Sequence, residues 1–357
     1  MQSVRDDMEF EMTLLEKLGI KHPIFLAPMA GVSTPALAAE VSNQGGLGSL
    51  GLGANSVQAA REQIEATKLL TENAFQVNFF CHDSTELDPA IAENWINLFK
   101  TTFQKLNTEA PQTLNCIYPS FKDNDDFLNL VLETKPKAVS FHFGIPHPHQ
   151  IEALKNAGII TMVSATNLAE AKAIEAAGID IIIAQGIEAG GHRGIFNETF
   201  DAAIKTSDLV QLLKKHCQLP VVATGGIMNG QQAKQMFDLG ADFVQLGTAF
   251  VQCKSSNAND AYRTALFNQP LTQITSSISG RPARGLINHW HIEVDLPNRP
   301  IVPAYPYTYD LGKQLHTAAS KTGDHGFGAS WAGSNVSQIR ELEAADLINQ
   351  IILEMQF

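Results

Sequence analysis

The chain has 357 residues, 44% of them hydrophobic and 17% charged, with a formal net charge of −12 at pH 7. That composition describes a soluble globular protein with ample core, and the negative balance argues against nucleic acid or an anionic membrane surface as a partner. No run of about 18 apolar residues is present to span a bilayer, and the acidic, polar N-terminus lacks the pattern of a secretion signal, so a cytoplasmic location is expected.

Taken in chain order, eight short apolar runs read as strands, at residues 24–27, 47–50, 75–79, 138–141, 159–163, 180–184, 221–223 and 243–246. Segments rich in Ala, Leu, Glu, Gln and Lys lie between them and read as helices, with Pro35 just inside the first. Three helix-to-strand junctions look alike, NAGI at 156–159, AAGI at 176–179 and DLGA at 238–241, each with a glycine able to take the left-handed cap. Alternating strands and helices imply parallel pairing with right-handed crossovers. The predicted fold is an α/β TIM (β/α)8 barrel, with an open doubly wound sheet as the alternative. Residues 116–121 read as an extra strand or as a loop. From 254 to about 322 many Pro, Asn and Ser break the rhythm, which suggests a mostly helical appendage over the barrel mouth. The expected division is therefore a barrel at 1–253, a substrate-capping insertion at 254–322, and a segment at 323–357 whose amphipathic helix, about 336–355, packs back on the barrel.

The stretch QGIEAGGHRG at 185–194 follows the sixth run. Gly190, Gly191 and Gly194 let the backbone turn sharply and approach a ligand, and His192 is the side chain there that titrates near neutrality. A base on a glycine-lined ledge at the end of a buried strand suits an α/β active site. The plainer alternative is a glycine-rich turn with a solvent-facing histidine. Barrel enzymes often hold a phosphate after strands seven and eight. Here those strands lead into TGGI at 224–227 and into Gly247-Thr248, where exposed N–H groups and a helix N-terminus near 228–230 would favour an anion. The alternative is that these glycines serve tight packing only. Asn78 is polar within the apolar third strand and, if buried, requires partners that a flat heteroaromatic ring with amide edges would supply. A phosphate clamp, an amide-bearing strand end and a histidine between them suggest FMN. No GxGxxG with a downstream ribose acid is present.

These motifs carry a resemblance. APMAGVS at 27–33, QVNFF at 76–80, QGIEAGGHRG at 185–194, ATGGI at 223–227 and VQLGTAF at 244–250 resemble the nitronate monooxygenases, formerly called 2-nitropropane dioxygenases. SGRPARG at 279–285 and WAG at 331–333 extend the match over nearly the whole chain. The resemblance implies an FMN-dependent barrel that oxidises alkyl nitronates with O2 to carbonyl compounds and nitrite. It implies cofactor contacts for Pro28, Met29, Asn78, Gln185, Gly190, Gly191, Gly225, Gly226, Gln245, Leu246, Gly247 and Thr248, with His192 as the catalytic residue. GGH and the phosphate loops are shared with FMN-dependent enoyl-ACP reductases and some NADH:quinone reductases, so they fix the superfamily more firmly than the substrate. Tyr305, Tyr309 and Lys313 are spaced four apart, which places them on one helical face if a helix starts near Pro306, with Tyr307 facing away. This resembles the Tyr/Tyr/Lys constellation of class I nitronate monooxygenases, in which Tyr118 and Tyr262 also match pocket tyrosines. Phenol hydroxyls and an ammonium suit a nitro group or a carboxylate, and Lys313 makes a carboxylated nitronate attractive. The alternative is a surface helix with packed tyrosines. His142, at the end of the fourth strand, is a further pocket candidate. One departure stands out: WAGSN at 331–335 replaces the family's usual WAGQG.

With a neutral nitroalkane His192 would act as general base on the carbon beside the nitro group; with an anionic nitronate, a protonated His192 would hold the anion. The resemblance implies one-electron transfer from nitronate to FMN followed by reaction with O2. The partners expected are thus a small-molecule nitronate and O2. No metal is expected, because His147 and His149 in HPH offer no ligand spacing. His289 and His291 flank Trp290 and read as packing or surface residues. Cys81, Cys116, Cys217 and Cys253 form no CxxC pair and suit free thiols in a reducing compartment. The competing readings are an NAD(P)H-dependent FMN reductase and a non-catalytic flavin-binding sensor.

Overall fold

A computed structural model of the chain describes residues 14–356; the N-terminal stretch read for a secretion signal lies largely outside the described residues. Each of the eight predicted runs falls on a strand: β1 Ile24–Leu26, β2 Gly48–Gly51, β3 Phe75–Phe80, β4 Ala138–His142, β5 Ile160–Ala165, β6 Ile181–Gln185, β8 Val221–Thr224 and β9 Phe243–Leu246. They pair in parallel in the order β1-β9-β8-β6-β5-β4-β3-β2, and a parallel bridge between Phe25 and Leu47 brings β1 back to β2. The sheet is therefore a closed barrel and not the open doubly wound alternative.

The helices form where the sequence supplies their ends. Thr34, Ser56, Asn167 and Asn229 each accept a hydrogen bond from a backbone N–H of the first turn, and Pro35 occupies the position where a missing N–H costs nothing. The three look-alike junctions end as predicted, with Gly158, Gly178 and Gly240 at φ of +74°, +76° and +99°.

Inside the barrel the two-residue period of the strands sorts side chains into tiers. Phe25, Leu47, Ile160, Ile181 and Phe243 are buried in one apolar cluster at the N-terminal end, with Met162, Ile183 and Val222 one step above. One further step along the strands come Asn78, His142, Ser164, Gln185, Thr224 and Gln245, all facing the cavity at the C-terminal end. The core thus ends in a polar floor. The alternate residues, among them Val163, Ile182, Ala184, Val244 and Leu246, pack outward against the helices.

The appendage contains the helices Asp260–Asn268 and Tyr307–Ser320, and also two strands that the sequence pattern did not reveal, β10 Thr272–Thr275 and β11 Ala283–Leu286. These pair antiparallel, and β11 pairs with β7, the two-residue strand Gly191–His192. The helix Tyr307–Ser320 is seated on the helix Pro89–Lys105 through Leu311, Leu315, Trp95, Phe99 and Trp290. Residues 116–121 carry no strand; a short 3-10 turn, Phe121–Asp123, follows. The terminal helix Ala344–Met355 buries Ala344, Leu347, Ile348 and Ile351 against the barrel helices Gly230–Asp238 and Pro35–Asn43, as its amphipathic pattern predicts. Among the described residues no helix is long and apolar enough to cross a membrane.

Candidate active site

A cavity of about 330 Å³ opens at the C-terminal end of the barrel, within the usual range for small-molecule sites. Every residue expected there lines it except Gly194, Leu246 and Tyr305. Leu246 belongs to the outward set, because the strand alternation turns Gln245 inward. Tyr305 corrects the helical-face expectation. The helix begins at Tyr307, so only Tyr309 and Lys313 share its face, and Tyr305 is 1% exposed behind the cavity wall. Its ring lies 5.8 Å from that of His192 and 4.9 Å from that of His82.

His192 is held by its neighbours on every side. Arg193, fully buried, donates to Gly186 O at 2.6 Å and Gln185 Oε1 at 3.0 Å and pairs with Asp201 at 2.7 Å, which pins the loop from below. Gln185 Nε2 and His142 Nε2 both donate to the His192 carbonyl, at 2.9 and 3.0 Å. His142 Nδ1 accepts from Ser164 Oγ at 2.9 Å. Gln185 and His142, expected to touch cofactor and substrate, therefore also brace the backbone of His192. The His192 ring packs 5.2 Å from Trp331 and 5.9 Å from Tyr309 between ring centroids, and its Nε2 lies 2.9 Å from Ser279 Oγ. Ser279 Oγ donates to Arg281 O at 3.1 Å, which leaves it to accept from His192 Nε2–H and leaves Nδ1 as the nitrogen with a free lone pair. This is not an incidental solvent-facing histidine.

Burial, then the electrostatic effect of the neighbouring His142 and of the Arg281 guanidinium, push the His192 pKa down to about 3. The resting imidazole is neutral at working pH, and a bound anion would raise it. The cation at the site is instead Lys313, exposed at the rim. Its Nζ donates to Tyr118 Oη and lies 5.0 and 5.9 Å from the Tyr118 and Tyr309 ring centroids. Burial raises Tyr118 and Tyr309 to about 12, so both phenols keep their protons and serve as donors. Asp310 accepts from Asn115 N at 2.8 Å, which ties the loop carrying Tyr118 to the helix carrying Lys313. Tyr262 Oη donates to Trp331 O and closes a third side.

Across the cavity lies the anion cradle. Gly225 and Gly226 have φ of +121° and +72°, and the N–H groups of Gly225, Gly226, Ile227 and Thr248 have no acceptor among the described residues. At the helix N-terminus near 228–230, expected to favour the anion, two of the N–H groups are already taken. Gly230 N donates to Glu354 Oε2 at 2.7 Å and Met228 N to Gln232 Oε1 at 2.8 Å, so the terminal helix has already supplied the anion there. Opposite the cradle, Asn78 Nδ2 donates to Ser140 Oγ at 3.0 Å, and among the described residues its Oδ1 has no donor and the buried Gln245 Oε1 has no partner. Free N–H groups at one end and unpartnered amide oxygens along the floor fit a flat, amide-edged ring carrying a phosphate. Ser164, Thr224 and Trp331 also line the cavity and were assigned no role from sequence. The signal for the first two was the one used for Asn78: a polar residue at an inward position where an apolar strand ends.

The whole-chain comparison agrees with this geometry: the family model described as nitronate monooxygenase matches residues 11–354. The chain belongs to the nitronate monooxygenase family. It is 46% identical over 353 residues to a nitronate monooxygenase of Paraburkholderia phytofirmans, covering 98% of this chain and 96% of that one. It is 47% identical over 342 residues to one of Pseudomonas aeruginosa, covering 95% and 97%. Among solved structures, nitroalkane oxidase from Streptomyces ansochromogenes superposes with a TM-score of 0.88 at 35% identity, over 96% of this chain and 98% of that one. FabK from Thermotoga maritima superposes with a TM-score of 0.72 at 26% identity, over 96% of each chain. The nitronate monooxygenase assignment thus spans barrel and appendage alike.

Proposed function

We propose that this protein catalyses the FMN-dependent oxidation of alkyl nitronates with O2 to carbonyl compounds and nitrite. The observation that carries the reading is one cavity holding, on one side, a cradle of free backbone N–H groups and, on the other, His192 facing a Tyr118, Tyr309 and Lys313 donor cluster. The residues that would hold FMN are Gly225, Gly226, Gly247 and Thr248 at the phosphate, with Asn78, Gln245, Pro28, Met29, Gly190 and Gly191 along the ring; all of them line the cavity. When bound, the flavin supplies the redox chemistry.

The side chains do the rest. Lys313 presents only donors, and each of the two protonated phenols has an O–H to donate, which suits the oxygens of a nitronate or of a carboxylate on its tail. Lys313 is exposed, so its pairing with such a tail is worth at most about 1 kcal/mol, or about fivefold in KM. His192 rests neutral with Nδ1 unprotonated, available to take a proton from a neutral nitroalkane. A base held near pKa 3 is weak, however, and an anionic nitronate requires no such step. The resting site therefore favours the anion as substrate.

The deciding experiment is anaerobic mixing of the purified yellow protein with alkyl nitronates, NADH and NADPH in turn, followed by flavin absorbance. Bleaching by nitronate and not by the nicotinamides is expected. Bleaching by NADH or NADPH alone would make it a flavin reductase, and a protein that binds FMN yet responds to neither would be a binding module.

A further inference from the structure

The chain returns to the cavity after the appendage, and residues 333–335 bond to both loops of the cradle and to the Glu188 loop. Gly333 N donates to Thr248 Oγ1 at 3.0 Å, Ser334 N to Glu188 O at 2.9 Å, and Asn335 Nδ2 to Gly226 O at 2.6 Å. The last contact bears on the anion directly. In a trans peptide the carbonyl and the following N–H point in opposite directions. Thr206 Oγ1 lies 2.9 Å from both Gly225 O and the Glu188 carboxylate and shares its one proton between them, and the same carboxylate accepts from the Thr206 N–H. Asn335 holds Gly226 O. With both oxygens tethered on one side, the N–H groups of Gly226 and Ile227 are turned to the other, and both residues line the cavity. Two successive N–H groups aimed at one point form an anion nest. Asn335 is the one tether on Gly226 O among the described residues. Released from it, that oxygen is free to rotate toward the anion and repel it.

We propose that Asn335 is a positioning residue for the phosphate end of the site, setting this protein's preference for a phosphorylated flavin over its unphosphorylated form. The proposal rests on the FMN reading above. It concerns a partly exposed side chain at the surface of the cradle, so its removal leaves the core intact.

The test is titration of apoprotein with FMN and, separately, with riboflavin, followed by quenching of flavin fluorescence. Wild type binds FMN more tightly than riboflavin. Asn335→Ala raises the FMN Kd about tenfold and leaves the riboflavin Kd unchanged, the scale expected for one lost hydrogen bond to a backbone carbonyl. Asn335→Asp keeps the size but removes the donors and sets a carboxylate against Gly226 O, so its loss is at least as large. Thermal midpoints of the apo variants equal to wild type show that the fold is kept. Unchanged FMN affinity in both variants overturns the proposal, as does an equal loss for FMN and riboflavin. A wild-type apoprotein that binds FMN no better than riboflavin overturns the phosphate reading itself, an outcome visible before any variant is made.

Discussion

Replacing His192 with asparagine keeps a polar side chain on β7 but removes the imidazole from the cavity lining. The brace formed by Gln185, His142 and Arg193 acts on the backbone of that loop and is left in place. We expect His192→Asn to retain its flavin absorbance while its kcat/KM with a neutral nitroalkane falls, by less than the roughly hundredfold that a base tuned to working pH contributes. With a pre-formed nitronate the fall should be smaller, because no proton is removed. Steady-state rates on the two forms of one substrate measure this, and wild-type rates on both would refute the role. At this scale the sequence was informative wherever a residue's chemistry was local. His192, Asn78 and the paired glycines were legible because a glycine cluster or a polar break in an apolar strand marks its own position. Tyr305 was misplaced because helical spacing says which residues share a face only where the helix exists, and it starts two residues later.

At the scale of elements, the terminal helix and the helix Gly230–Asp238 form a unit in which an acid caps a helix N-terminus. Glu354 accepts from Gly230 N at 2.7 Å and pairs with Arg340 at 2.6 Å, and Arg340 reaches Met228 O at 2.9 Å. Surroundings hold the Glu354 carboxyl below its ordinary range, chiefly through the Gly230 N–H and Gln350, against the opposing effect of burial. Glu354→Ala should lower unfolding free energy by about 1–2 kcal/mol, the worth of a cap with its dipole interaction. It should leave the FMN Kd unchanged, since Gly230 does not line the cavity. Denaturant titration and flavin titration on the same variant decide both points. The eight strands were readable because each is short, apolar and followed by a helix with its own caps. The strands β10 and β11 were not, because TQIT and ARGL carry neither alternation nor a hairpin signal; they are strands because each other's edge, and that of β7, satisfies their backbone. The helix cap by Glu354 was invisible for a related reason, as it joins residues 124 apart.

For the whole molecule, the histidines set an acid limit. Burial is the largest cause that lowers His82 and His142 to about 4 and His192 to about 3, and His22, His291 and His316 shift the same way. Each takes up a proton in the unfolded chain below its ordinary value near 6.5 but stays neutral when folded down to its lowered value. The unfolded state then binds more protons, so stability rises with pH between about 4 and 6.5 and is lost as pH falls through that window. The thermal midpoint should drop by several degrees between pH 7 and pH 5, before the carboxylates titrate. A midpoint flat over that range would show that these rings are not held neutral.

The apolar tiers beneath the polar floor have a kinetic meaning. Phe25, Leu47, Ile160, Ile181 and Phe243, none more than 5% exposed, stopper the far end of the cylinder. Whatever enters or leaves the cavity must therefore do so at the C-terminal end, where Lys313 is exposed, and each departing molecule clears the path for the next arrival.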